Sequence, residues 1–275
     1  MTKSKPANSR APYRLKIERA KRHIGELTAE IETYLAGKPY EIFAEEDQAT
    51  AKRLYKIRVK QAVPFEWSAI VGDTIHNARS ALDILMVEIV KLCDPNRASY
   101  NHVHFVVGQS KDIFETRLPK NIQGASAEAR RLVEDLKPYK GGDEAFWMLH
   151  QLDITNKHKA IIPVGSAHSG LNIDMNQLFD WSSVPWMKEA IAAQGPAYVN
   201  WTPTHRQFPL EDGTTIFSTS LETPLNDNLQ ASFEIAFGEG QILDGEPVVP
   251  ALTQIVEFVE GVIDAIEIGL PGLGR

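Results

Sequence analysis

Cysteine is nearly absent: Cys93 is the only one in 275 residues. That excludes a disulfide framework or a cysteine zinc site within the chain, and points to a reducing, cytoplasmic compartment. Long apolar runs are missing too. None approaches about 18 residues, so no membrane-spanning helix and no membrane partner are expected. The opening MTKSKPANSR has no apolar core of the kind a secretory signal needs. The nucleotide-binding G-x-x-x-x-G-K-[ST] and G-x-G-x-x-G, the zinc-binding H-E-x-x-H and the nucleophile-elbow G-x-S-x-G are all lacking. The commonest nucleotide-dependent and hydrolase readings therefore lose their support, and no cofactor or resident metal is expected. There is no internal repeat and no low-complexity tract.

What is present is an ordinary globular composition, 43% hydrophobic and 24% charged. The net charge of −7 is uneven. Residues 1–63 hold 14 Lys and Arg against 8 Asp and Glu, while the remainder is strongly acidic. A basic surface for phosphates is one meaning of this split, and mutual attraction between the two parts is another.

The stretch 65–93, FEWSAIVGDTIHNARSALDILMVEIVKLC, organises the rest. Trp67, Val71, Ile75, Ala78, Leu82, Leu85 and Ile89 recur at steps of three and four and predict one buried helical stripe. Pro64 precedes it, and Asp94-Pro95 ends it. A second face carries Gly72, His76, Arg79, Asp83, Val87 and Val90, while Glu66, Asp73, Asn77, Glu88 and Lys91 form a third, solvent-directed face. A helix with two apolar faces is central to its fold. The segment 143–161 repeats the pattern: Phe146, Leu149, Ile154 and Ile161 define an apolar stripe into which His150, Asp153 and Lys157 project.

Charges set inside an apolar stripe need partners, because an unpaired buried charge costs several kcal/mol or more. The two clusters are natural partners for each other. Arg79 with Asp153 and Asp83 with Lys157 would balance, with His76 and His150 between them.

The remaining chain reads as a single α+β domain over 1–275. Residues 1–9 form a disordered tail, 10–64 a helix from about Arg14 to Leu35 and a β-hairpin (40–43 with 54–63), and 65–163 a helical core. Residues 164–275 supply loops, antiparallel strands and a final helix at 249–268. Leu15, Ala20, Ile24, Leu27, Ile31 and Leu35 are the expected buried stripe of the first helix. Within the core, 102–107 reads as a short strand with His102 and His104 on one face, followed by short helices at 110–118 and 126–136. Strands are expected near 171–173, at 214–220 and at 229–237, and a short helix near 186–193. An antiparallel sheet would draw strands from both flanks and pack beside a helical bundle. In the hairpin, Tyr55, Ile57 and Val59 alternate with Lys56, Arg58 and Lys60, leaving one basic face.

At GDTIHNARSALD (72–83) and LHQLDITNKHK (149–159) the chain resembles a widespread group of bacterial proteins with no assigned activity. In that group a helix with an HN-x-R-S-A-L-D core precedes an L-D-x-x-x-K-H-[RK] segment. A fainter resemblance is to HEPN domains, helical bundles that often act as metal-independent ribonucleases and place an Arg ahead of a His at a dimer interface. That resemblance implies RNA as a partner and leaves a homo-oligomer open. Here His76 precedes Arg79, and the only forward spacing, Arg97 to His102, falls in an expected loop.

The candidate site is therefore His76, Arg79, Asp83, His150, Asp153 and Lys157. As a catalytic set, Arg79 and Lys157 would hold an anion such as a phosphate, while His76 or His150 would move a proton. As a structural set, the same charges would cancel in a buried network of a non-catalytic interaction module. A metal site from His76, Asp83, His150 and Asp153 is opposed by the neighbouring Arg79 and Lys157. His158, His23, His168 and His205 belong to no set.

Overall fold

The structure, a computed structural model, describes residues 11–166, 171–174, 198–201, 209–221 and 233–274. Among them are helices α1 (Pro12–Ala36), α2 (Trp67–Cys93), α3 (Lys111–Asn121), α4 (Ala127–Asp135), α5 (Glu144–His158) and α6 (Val248–Gly269). The strands are β1 (Tyr40–Asp47), β2 (Lys52–Val59), β3 (Pro163–Ser166), β4 (Leu171–Asp174), β5 (Tyr198–Trp201), β6 (Thr215–Ser220) and β7 (Glu234–Phe237). The fold is α+β. The expected terminal tail at 1–9, the helix near 186–193, His168 and His205 lie outside the described residues. The chain forms two compact units. One takes the chain to Leu27, Ser68–Ile161 and the segment from Val249. The other takes Thr28–Trp67 and Ile162–Val248.

In the helical unit, α2 carries the stripe its spacing predicts. Trp67, Val71, Ile75, Ala78, Leu82, Leu85 and Ile89 are all buried. Ala81, Met86 and Val90 are buried as well, so the helix is covered on more than one side. Asn77, expected in solvent, is buried instead. Its amide donates to the Asp73 carbonyl and its oxygen accepts from Lys16 of α1.

Phe146 of α5 stacks on Phe105 at 5.2 Å between centroids and meets Phe258 of α6 edge-on at 4.8 Å. Full burial of Phe105 and of Phe146 stabilises the unit by about 1.5–3 kcal/mol each. Helix α1 is joined to α6 by Arg14, which pairs with Asp264 at 2.6 Å and with Glu267. Tyr13 also donates to Glu267, at 2.7 Å. Four stripe positions depart from expectation. Ile24 and Leu35 of α1 are only half-buried. Leu15 of α1 and Ile154 of α5 are exposed, and the buried set on α1 is Tyr13, Ile17, Ala20, Leu27, Ile31 and Tyr34.

Helices α3, α4 and α5 begin where side chains cap them. Ser110, Ser126 and Asp143 accept from backbone N–H groups of the first turn, which otherwise lack partners. Helix α5 stops at His158 rather than running on to Ile161, which is buried beyond the helix end. The expected strand at 102–107 does not form. The alternation survives, with His102 and His104 exposed and Val103 and Phe105 buried, but the Phe105 backbone bonds to side chains instead of a neighbouring strand.

The second unit holds three antiparallel sheets among the described residues: β1-β2-β6, β3-β7 and β4-β5. The first joins the hairpin to a strand from the far end of the chain, as the sequence predicts. The hairpin turn is fixed by Asp47, whose carboxylate accepts from the Ala49 N–H and the Thr50 hydroxyl. The basic face of β2 is matched by acids of β1. Lys56 pairs with Glu45 at 2.8 Å, and Glu41 takes both Arg58 at 3.9 Å and, just past the strand, Lys60 at 3.0 Å; on the other face Arg53 pairs with Glu46 at 3.3 Å. Pro163, expected only to stop a helix, opens β3. A side chain at Gly165 of that strand would run into the Tyr40 hydroxyl, so the close approach there requires glycine.

Candidate functional site

The six candidate residues lie in the helical unit, three on α2 and three on α5, and they divide into two arrangements.

The first is closed. Arg79 is only 7% exposed. Its Nη1 donates to Asp83 Oδ1 at 2.6 Å and its Nη2 donates to the Phe105 carbonyl at 2.7 Å. The Phe105 N–H donates back to Asp83 Oδ1 at 2.9 Å. Guanidinium, carboxylate and the two backbone polar groups of Phe105 thus satisfy one another, which is what a buried charge requires. The latch fastens the extended segment through Phe105 to the middle of α2.

The second is open. Asp153 is 2% exposed and projects from α5 among Phe146, Leu149 and Leu152. Its Oδ1 lies 3.0 Å from His76 Nδ1, and its Oδ2 accepts from Lys157 Nζ at 2.5 Å. Both partners reach solvent: the His76 side chain is 48% exposed and that of Lys157 53%. A buried carboxylate thus anchors two half-exposed groups, and on the far side of the His76 ring Ser80 Oγ lies 3.3 Å from Nε2. Near this bond, one turn before His76, α2 has Gly72 against Asn156 of α5. A Cβ there would overlap the Asn156 side-chain amide of α5.

The expected cross-pairing of Arg79 with Asp153 and of Asp83 with Lys157 is not what forms. Each cation takes the carboxylate four residues away on its own helix. Such pairs order two side chains over one turn without fixing a second element. In α5 the acid precedes the base, the favourable order. In α2 the order is reversed, and the Phe105 peptide supplies the added hold. The bond that joins the two clusters is His76 to Asp153.

His150 is half-buried beside Trp147, with ring centroids 6.1 Å apart. Its Nδ1 is sealed from solvent without a hydrogen-bond partner among the described residues. Burial pushes its pKa down. The charges of Arg79 and Lys157 add to this, against the opposing pull of Asp153 and Asp83. His150 therefore feels all four charged members of the site while bonding none of them through Nδ1, and it favours the uncharged form.

Sequence reasoning passed over two participants. One is the Phe105 backbone. The other is Ser80, one turn after His76, whose Oγ lies 3.3 Å from His76 Nε2. Its spacing of four residues from His76 was the available signal. Of the other histidines, His158 is exposed and His23 is buried beside Glu26, 3.6 Å away. The forward Arg97-to-His102 spacing lies beyond α2, where Arg97 binds the carbonyls of Ser99 and Gln123. No three His, Cys, Asp or Glu side chains among the described residues converge to hold a metal. Asp83 is turned toward Arg79 and Phe105, which breaks up the four-ligand set considered from the sequence. No helix of the described residues is long and apolar enough to cross a membrane.

No protein-family model matches the chain, and neither a curated protein nor a solved structure matches it.

Proposed function

We propose that the protein is an acid–base catalyst directed at phosphodiesters, working without a metal, with His76 as its proton-transfer group. The observation that carries this reading is the buried Asp153 carboxylate, held between two half-exposed donors. A carboxylate is an acceptor, so it takes the Nδ1 proton of His76 and fixes the ring orientation. The Nε2 side, beside the Ser80 hydroxyl, then serves as a base and afterwards as an acid. Lys157 spends one of its three N–H donors on Asp153 and keeps the others for an anion beside the imidazole. His150 adds a second imidazole within the same field. In this reading Arg79 and Asp83 position the wall of the site and touch no substrate.

The non-catalytic reading has support of its own in the Arg79–Asp83–Phe105 latch, which satisfies its members without a ligand. It explains one arrangement and gives no role to the half-exposed His76 and Lys157 around Asp153.

The test is hydrolysis of bis(4-nitrophenyl) phosphate and of a fluorescent RNA oligonucleotide in the presence of EDTA. Wild-type protein should turn over at least one of them, with His76→Ala reducing the rate by about 100- to 10,000-fold and Lys157→Ala raising KM. Absence of turnover on both substrates overturns the proposal in favour of an interaction module.

A further inference from the structure

We infer that Ser80 is the nucleophile of this site, and that phosphodiesters are cleaved through a phosphoseryl intermediate. This rests on the reading of His76 as the proton-transfer group. A base that activates a hydroxyl of the substrate, such as a ribose 2′-hydroxyl, needs its free nitrogen clear. Here that nitrogen already faces a protein hydroxyl, with Ser80 Oγ 3.3 Å from His76 Nε2.

The rotamer of Ser80 is informative. Helical hydroxyls ordinarily bond back to the carbonyl four residues earlier. Thr33, Thr74, Thr116 and Thr253 do so here, at 2.7 to 2.8 Å. Ser80 directs its oxygen to the imidazole of His76 instead. With Asp153 on Nδ1, the neutral ring keeps its proton there and presents Nε2 as an acceptor, so the Ser80 hydroxyl donates. Serine, histidine and buried aspartate then stand in the order that nucleophilic catalysis uses, assembled from one turn of α2 and one residue of α5.

The chemistry is as follows. Ser80 Oγ attacks phosphorus and its proton passes to His76 Nε2. The new Oγ–P bond forms as the bond to the leaving oxygen breaks, and that oxygen takes the proton from Nε2. Water then attacks the phosphoseryl group and gives its proton to Nε2. The P–Oγ bond breaks, and Ser80 regains the proton. Lys157, held by Asp153 on the Nδ1 side of the same imidazole, is the cation this proposal assigns to the charge on the non-bridging oxygens. Because the nucleophile belongs to the protein, the substrate needs no hydroxyl beside its phosphate. Aryl phosphodiesters and DNA strands are then substrates as well as RNA.

The experiment combines labelling with turnover. Wild-type protein, Ser80→Ala and His76→Ala are incubated with diisopropyl fluorophosphate, and adducts are located by peptide mass spectrometry. The same proteins are assayed with bis(4-nitrophenyl) phosphate. The inference expects an adduct on Ser80, labelling slowed at least about 100-fold in His76→Ala, and a comparable loss of turnover in Ser80→Ala. Folding should not interfere, since alanine is the better helix former. Full turnover in Ser80→Ala alongside a dead His76→Ala would overturn the inference and leave the acid–base reading standing. A wild-type adduct elsewhere than Ser80 would overturn it too. Labelling of Ser80 without phosphodiester turnover would support the nucleophile and refute the substrate class.

Discussion

Asp153 Oδ1 lies 3.0 Å from His76 Nδ1, and this bond between α5 and α2 is where the interior of the helical unit meets its surface. One partner is sealed in the core and the other is half in solvent. The difference in exposure predicts a difference in consequence. Removing His76 or Lys157 subtracts a half-exposed group and should change stability by no more than about 1 kcal/mol. Asp153→Ala should destabilise by about 3 kcal/mol or more, because it leaves a core cavity and removes the shared partner of both donors. Urea unfolding of the three variants checks this, and equal losses would contradict it.

The latch predicts an asymmetry of its own. Asp83→Ala strands the buried Arg79 guanidinium and should destabilise by about 3–5 kcal/mol. Arg79→Ala leaves Asp83, which still reaches solvent, and a Phe105 carbonyl without its donor, so a smaller loss of about 1–3 kcal/mol is expected. If the two variants unfold at the same denaturant concentration, the latch is not the closed unit described.

How much of this was legible beforehand follows from which interactions obey local rules. The buried stripe of α2 was readable because period and burial coincide over 27 residues. That the two charged clusters meet was readable too, since charges in an apolar stripe must find partners. The identity of the pairs was not. Arg79 is held by the backbone of Phe105, which lies 26 residues away and has no side-chain signature. Leu15 and Ile154 were misplaced because an apolar residue at helical spacing can still face water. The strand expected around Phe105 was lost for the converse reason: alternation records burial, while a strand also needs a partner's backbone. Ser80 went unread because a mid-helix serine is ordinary until a ring is found at its oxygen.

The pH dependence of stability should carry the mark of His150. Its folded-state pKa is lowered by burial and by the neighbouring Arg79 and Lys157. An unfolded histidine titrates near about 6.5, so below that pH the unfolded chain binds the proton more readily than the folded one. Stability should therefore fall as pH drops from about 6.5 towards the folded value, with no further loss from this residue below it. His150→Asn should flatten the curve in that window. An unchanged slope between pH 7 and 5 would show that His150 is not buried against these cations.

The approach of α2 to α5 can be tested at its contact point. Gly72→Ala should displace the Asn156 side-chain amide and destabilise by up to about 1 kcal/mol. In an Asn156→Ala background the same change should become neutral or stabilising by up to about 1 kcal/mol, the ordinary gain from alanine over glycine within a helix. Additive effects in the double variant would show that the helices are not in contact there.

The division of the polar cluster into a closed latch and a half-exposed His76–Asp153 pair, with the catalytic role proposed for that pair, is tested most directly by one comparison. The melting temperature and the bis(4-nitrophenyl) phosphate hydrolysis rate are measured side by side for wild type and His76→Ala, in EDTA. The account predicts a melting temperature within a few degrees of wild type and a rate lower by at least about 100-fold. A His76→Ala protein that hydrolyses at the wild-type rate, or that no longer folds, would contradict it.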